Sequence, residues 1–209
     1  CPYHAWVYGL DGELKHVPGA KGFPNLNQDK HGLVPVIAEE IGGLVFVTQK
    51  KPLSDAALVA TPNLVGPDQE VFDFIQLYDK ANWKLVVESA MEGYHIKSLH
   101  PKSFYPYGFD NLNVVETYGP NSRLVFPFRR IEQLRSMAPD EWRPDGMLTY
   151  VYHMFPNSRL SKLSNHHQLI IIEPEAPDRV RWDFFRLTPP TREGKPVDMN
   201  AALKDSEFV

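Results

Sequence analysis

Apolar and polar positions alternate through most of this chain, which predicts a protein built largely of strands. Trp6-Val7-Tyr8 leads into Leu10-Asp11-Gly12-Glu13-Leu14, where Asp-Gly is a hairpin turn signal. Leu33 to Ile37 and Gly42 to Thr48 read as two further strands, and Lys50-Lys51-Pro52 closes this all-β stretch. Residues 53–70, with small, Pro and Asp residues, read as a boundary, so the chain divides into 1–52 and 53–209. The second part opens with a strand, Val71 to Tyr78. Asp79 is placed to cap a helix whose first turn holds Asn82 and Trp83 and whose buried face is Leu85, Val86, Ser89 and Ala90; Pro101 bars its continuation. Alternating segments follow at Leu112–Tyr118, Arg123–Phe128, Leu148–Phe155, Gln168–Glu173 and Val180–Leu187, an antiparallel sheet, with residues 131–144 a short helix or loop. The fold class is α+β.

Composition narrows the function classes. The 209 residues suffice for one domain or two small ones, and 43% hydrophobic with 23% charged residues is ordinary for a soluble globular protein. A net charge of -4 gives no reason to expect nucleic acid or an anionic membrane as partner. No apolar run approaches the roughly 20 residues that span a bilayer, and no basic segment followed by an apolar one opens the chain. The single cysteine leaves no internal disulfide and fits a reducing cytoplasm. Because the chain starts on Cys1 without Met, it is expected to be a piece of a longer protein, cut at its start and past Val209.

The chemistry concentrates in Glu92-Gly93-Tyr94-His95-Ile96-Lys97-Ser98-Leu99-His100. Imidazoles and carboxylate are the ligand types of a mononuclear iron(II) site that binds oxygen. Glu92 and His95, three apart, share a helix face. His95 and His100, five apart, are separated by about 140° around an α-helix, so the helix must end, tighten or bulge between them if both are to meet one ion. Two histidines at this spacing are also commonly unrelated, and a zinc site lacks its His-Glu-x-x-His signature here. At the other end, Cys1-Pro2-Tyr3-His4 is a Cys-x-x-His pair of the kind that serves a Rieske [2Fe–2S] centre. His166-His167 and the pair Arg129-Arg130 read as structural and surface features, and Tyr3 and Trp6 as core aromatics. Tyr94, Phe104, Tyr105 and Tyr107 beside the iron motif shape an apolar pocket or serve as core, and His153 lines the cavity or packs.

Taken together, Asn82-Trp83-Lys84 and Glu92-x-x-His95-x-x-x-x-His100-Pro101 closely resemble the iron-binding helix of the Rieske non-haem iron oxygenases, the α subunits of aromatic-ring-hydroxylating oxygenases. Cys1-Pro2-Tyr3-His4-Ala5-Trp6 with Leu10-Asp11-Gly12 resembles the second half of that family's cluster motif, and Gly43-Leu44-Val45-Phe46-Val47 its closing strand. Tyr152-His153-Met154-Phe155-Pro156-Asn157 and Pro177-Asp178-Arg179-Val180 resemble strands of its catalytic sheet.

The resemblance implies a partial Rieske-type β-domain, residues 1–52, followed by a helix-grip (START-like) catalytic domain, residues 53–209. It implies that His95 and His100 ligate iron(II), and that Cys1 and His4 serve the [2Fe–2S] cluster. A carboxylate completes the iron site; the family's acidic motif does not occur before Val209, and Asp205 is the best placed late carboxylate ahead of Asp198 and Glu207. Glu92 takes the place of the family's bridging acid, which joins the iron-ligand His95 to a cluster ligand, His4, of a neighbouring subunit. Most members have Asp there; some that act on quaternary amines have Glu. Tyr94, Phe104, Tyr105 and His153 are the substrate-binding candidates. The implied function is hydroxylation of an aromatic or other organic substrate with O2, with electrons from a ferredoxin or flavin reductase, in a homotrimer with or without β subunits. The alternatives are oxidative demethylation of a methoxy or quaternary-ammonium substrate, and a non-catalytic helix-grip protein that binds a ligand.

Overall fold

The computed structural model describes residues 1–50, 62–144, 146–191 and 196–208. By its internal contacts the chain divides into two compact units, residues 1–40 with 45–53 and residues 41–44 with 54–209. The boundary expected at 53–70 lies partly outside the described residues.

The first unit holds short strands, turns and two 3-10 helices, Ala20–Gly22 and Gln28–Lys30. Strands β1 (Val7–Tyr8) and β2 (Leu14–His16) pair antiparallel around the Asp11-Gly12 turn, where Gly12 takes a φ of 82° that a side chain would oppose. β3 (Ile37–Ile41) and β4 (Leu44–Thr48) form a second two-stranded sheet. Leu33 to Val36 lie outside any strand, against expectation. Pro35 within them has no N–H to donate to a ladder, and Leu33, Val34 and Val36 stay exposed.

The second unit is a seven-stranded antiparallel sheet in the order β5-β11-β10-β9-β8-β7-β6. Its strands are β5 (Val71–Asp79), β6 (Val114–Tyr118), β7 (Asn121–Pro127), β8 (Leu148–Met154), β9 (Ser158–Lys162), β10 (His167–Ala176) and β11 (Arg179–Leu187). The first strand and the next in sequence occupy opposite edges, so the connection from 80 to 113 must cross the sheet. That connection carries helices α1 (Trp83–Ser89) and α2 (Ile96–Leu99). A third helix, α3 (Met199–Phe208), ends the described chain.

Packing explains why the crossing stays on one face. Val86 and Val87 of α1 bury against Ile170, Ile172 and Val180, with Trp83, Met91, Trp182 and Phe184 around them. Each such side chain removed from water contributes about 1.5–3 kcal/mol. Two expectations for α1 are corrected. Asp79 is the last residue of β5, paired with Val180, and the cap is Asn82, whose Oδ1 accepts from Lys84 N–H at 3.0 Å. Leu85 is exposed, and the buried face is Val86 and Val87.

β9 and α3 were not anticipated. β9 (Ser158-Arg159-Leu160-Ser161-Lys162) holds one apolar residue, fully buried Leu160, and among the described side chains of α3 the buried ones are the small Ala202 and Ser206. Within 131–144, expected as a short helix or loop, the chain forms two 3-10 helices, Arg129–Ser136 and Pro139–Glu141, with non-helical residues between and after them. No helix among the described residues is long and apolar enough to cross a membrane.

Candidate metal centre and substrate cavity

The site is built by the chain that follows α1. α1 stops at Ser89, the backbone turns through 90–95, and a single helical turn resumes at Ile96. Gly93 sits in that break, buried; a Cβ there would stand 3.2 Å from the Phe126 ring and 3.5 Å from the Asn111 nitrogen, so the crossing chain passes too close for any larger residue to fit without a shift. His95 lies at the N-terminal end of the single turn and His100 at its C-terminal end. α2 ends at Leu99 and His100 leaves helical geometry, with φ -119° and ψ 42°, so the 140° separation of a continuous helix does not hold between the two imidazoles. The two imidazole centres stand 5.6 Å apart.

Glu92 organises this pair. Its Oε1 accepts from His95 Nδ1 at 2.5 Å, and its Oε2 accepts from the N–H groups of Tyr94 and, at 3.2 Å, His95. Burial pushes the Glu92 carboxyl upward, but the hydrogen bonds from His95 and Tyr94 outweigh it and hold the group below the ordinary carboxylate range. A carboxylate that accepts a hydrogen bond from Nδ1–H fixes the tautomer and leaves Nε2 of His95 free for a ligand bond. Burial, and then the nearby charge of His95, push His100 down, which favours the neutral imidazole that a metal requires. Metal–imidazole bonds of about 2.1 Å are compatible with one ion shared by two rings at this spacing. The donor set therefore fits a metal, with a carboxylate still to be supplied.

Asp205 does not supply it. Its Oδ2 accepts from His166 Nδ1 at 2.8 Å and from Asn165 N–H at 3.1 Å, which pins α3 to the start of β10. Among the described residues no group of three His, Cys, Asp or Glu is gathered for a metal. His166 is fully buried, and its neighbour His167 accepts from Gln69 Nε2 at 2.9 Å, so this pair has structural partners, as read from sequence. In the first unit, Cys1 and His4 sit exposed on one tight turn closed by the Ala5 N–H and the Cys1 carbonyl at 3.0 Å. One cysteine and one histidine are half of the residue types that a Rieske ligand set uses.

Against Glu92, His95 and His100 lies a cavity of about 270 Å³. Its floor is the sheet, through Thr149, Val151, Arg159, Ser161 and Gln168, and its roof is the crossing segment. Five phenylalanines line it: Phe104, Phe109, Phe126, Phe128 and Phe184. Phe104 thus joins the cavity, its ring edge-on to His100 at 5.3 Å. Tyr94 is 75% exposed, and the charges of Arg129 and Lys97 lie 5.3 and 5.7 Å from the centre of the Tyr105 ring; both tyrosines lie outside the lining. His153 also lies outside it, in register with Ser122 on β7 and Arg159 on β9, and burial, then the charge of Arg159, push it down. Arg130 donates to the Gly146 carbonyl, and its guanidinium lies over Phe128.

Arg159, Ser161 and Gln168 escaped the sequence reading. They come together only through the cross-strand register, in which Ser161 faces Gln168 and Arg159 faces His153 and Ile170. The available signal was Phe155-Pro156-Asn157, a turn that returns the chain into β9.

Residues 73–206 match the family described as ring hydroxylating alpha subunit (catalytic domain), and the chain belongs to that family. It is 34% identical over 128 residues to the carnitine monooxygenase oxygenase subunit of Escherichia coli (strain K12), a match covering 56% of this chain and 32% of that one. Against the chloroplastic choline monooxygenase of Spinacia oleracea it is 26% identical over 193 residues, covering 87% of this chain and 42% of that one. Its fold is similar to a quaternary ammonium Rieske monooxygenase studied for carnitine oxidation and inter-subunit electron transfer, with a TM-score of 0.74 at 19% identity over 99% of this chain and 57% of that one. The matched stretch thus spans less than half the length of these curated relatives.

Proposed function

We propose that the chain forms the catalytic core, and part of the cluster domain, of a Rieske-type monooxygenase α subunit that oxidises a quaternary-ammonium compound. The observation that carries this reading is one cavity holding both Glu92-His95-His100 and five phenylalanine rings. Aromatic faces attract a quaternary ammonium group. The named relatives acting on carnitine and choline support the same class.

His95 and His100 hold the mononuclear iron, completed by a carboxylate. With a [2Fe–2S] cluster delivering electrons, that iron supplies a monooxygenation in which one O2, two electrons and two protons convert C–H to C–OH and water. Cys1 and His4 hold part of the cluster. Glu92 keeps 45% of its side-chain surface exposed while holding His95, which leaves it free to meet a neighbouring subunit's cluster ligand in a trimer. The phenylalanines exclude water and seat the cationic head. Hydroxylation at a carbon bonded to nitrogen gives a product that releases amine and aldehyde.

The test is product analysis with a ferredoxin or flavin reductase, O2 and a quaternary-ammonium substrate. Aldehyde formed one-to-one with O2 consumed is expected. A cis-diol from naphthalene with no turnover of quaternary amines would instead favour ring hydroxylation, which the phenylalanine lining also accommodates. Tight ligand binding with no turnover of either class would favour a binding protein.

A further inference from the structure

The floor of the cavity holds a charge that no residue answers. Arg159 lines the cavity from β9, and its Nε is buried with no hydrogen-bond partner. Among the described residues Arg159 has no ion pair. The carboxylate that shares the cavity, Glu92, makes its hydrogen bonds to His95 and two backbone N–H groups and none to Arg159. The ionisable neighbour of Arg159, His153, stands beside it in register and carries a buried Nε2 without a partner. Burying part of a guanidinium with its Nε unpartnered and no counter-charge beside it is unfavourable. A fold keeps such a group when a ligand completes it, and a guanidinium matches a carboxylate with two parallel hydrogen bonds. Ser161, two residues along the same strand face, and Gln168, directly across from Ser161, add donors beside it.

We infer that Arg159 receives a carboxylate of the substrate, so that the ligand is a zwitterion joining a quaternary ammonium group to an anion rather than a simple cation. This rests on the quaternary-ammonium reading for the ammonium half alone; the anion half stands on Arg159. The arrangement divides the labour by chemistry. The phenylalanine rings take the methylated cation, and the sheet floor takes the carboxylate. Choline, with a hydroxyl in place of the carboxylate, leaves Arg159 unanswered and places a second positive charge in the same small cavity.

Calorimetric titration under anaerobic conditions tests this with four probes: glycine betaine, L-carnitine, choline, and 3,3-dimethylbutanoate, the uncharged-head isostere of glycine betaine. The native protein is expected to bind the two zwitterions at least tenfold more tightly than choline. Removing one partner of a buried charge pair weakens binding by roughly 30-fold or more, so Arg159→Gln should lose that much for every carboxylate probe, while choline binding holds or improves. Arg159→Lys should recover part of the loss. Choline binding as tight as the zwitterions in the native protein overturns the inference without needing a variant. So does an equal loss for all four probes in folded Arg159→Gln, or the failure of every carboxylate probe to bind. Arg159-dependent binding of 3,3-dimethylbutanoate but not of glycine betaine sustains the anion site and refutes the quaternary-ammonium reading.

Discussion

The crossing connection has two halves that meet the same sheet in different ways. From Asn82 to Ala90 it is a capped helix that sets Val86 and Val87 into the sheet core and exposes Lys84, Leu85 and Glu88. From Met91 to His100 it is a turn, a buried glycine and one helical turn, and it holds the carboxylate and both imidazoles. The first half shows what a helix does when only packing is asked of it. The second shows what it gives up when two side chains five residues apart must converge. Regular structure anchors the site, and its interruption aims it.

Breaking the second half should abolish function while sparing the fold. His95→Ala is expected to end oxygen-dependent product formation, with a thermal transition close to that of the parent, because the ring is partly exposed and outside the sheet core. Breaking the first half should do the opposite. Ile170→Ala removes a fully buried side chain from beneath α1 and should cost about 2–5 kcal/mol of stability by denaturant titration. Glu92→Gln sharpens the comparison from inside the site. Ligand binding should be retained, and turnover or iron affinity should fall about 10–100-fold, as for other carboxylates that orient a ligand histidine. Rapid-mixing kinetics of cluster reoxidation should show the slowing in electron delivery.

A smaller effect lies in the sheet frame. Burial, then the charges of Lys162 and His166, push His167 down to about 4. The unfolded chain takes up this proton near the ordinary value of 6.5, so the folded state loses stability as pH falls from about 6.5 to about 4 and is insensitive to this group above that window. The slope should approach about 1.4 kcal/mol per pH unit in unfolding titrations, and His167→Asn should flatten it.

The antiparallel sheet was legible because β8, β10 and β11 alternate with a β-branched and aromatic face. β9 was not, because five residues with one apolar member carry no period; Leu160 is fully buried only because β8 and β10 flank it. α3 hid for a related reason: among its described side chains the buried ones are Ala202 and Ser206, one small and the other polar, which do not mark a face. The site divides similarly. Glu92, His95 and His100 were readable as residue types at a spacing, and so was the need for a helix irregularity. Gly93 and Pro101 mark where such an irregularity can form; what the sequence does not show is that the chain leaves the helix over 90–95, resumes for one turn and leaves it again at His100, with Gly93 packed against Phe126. Arg159 could not be found from sequence, since its lack of a partner is a property of the assembled cavity.

The central claim is that His95 and His100 share one iron distinct from the cluster. Iron and acid-labile sulfide, measured per chain on protein expressed from its gene and on His100→Ala, test it directly. The account predicts about three irons and two sulfides in the parent, and about two irons with sulfide unchanged in the variant. Equal iron in the two proteins would contradict it.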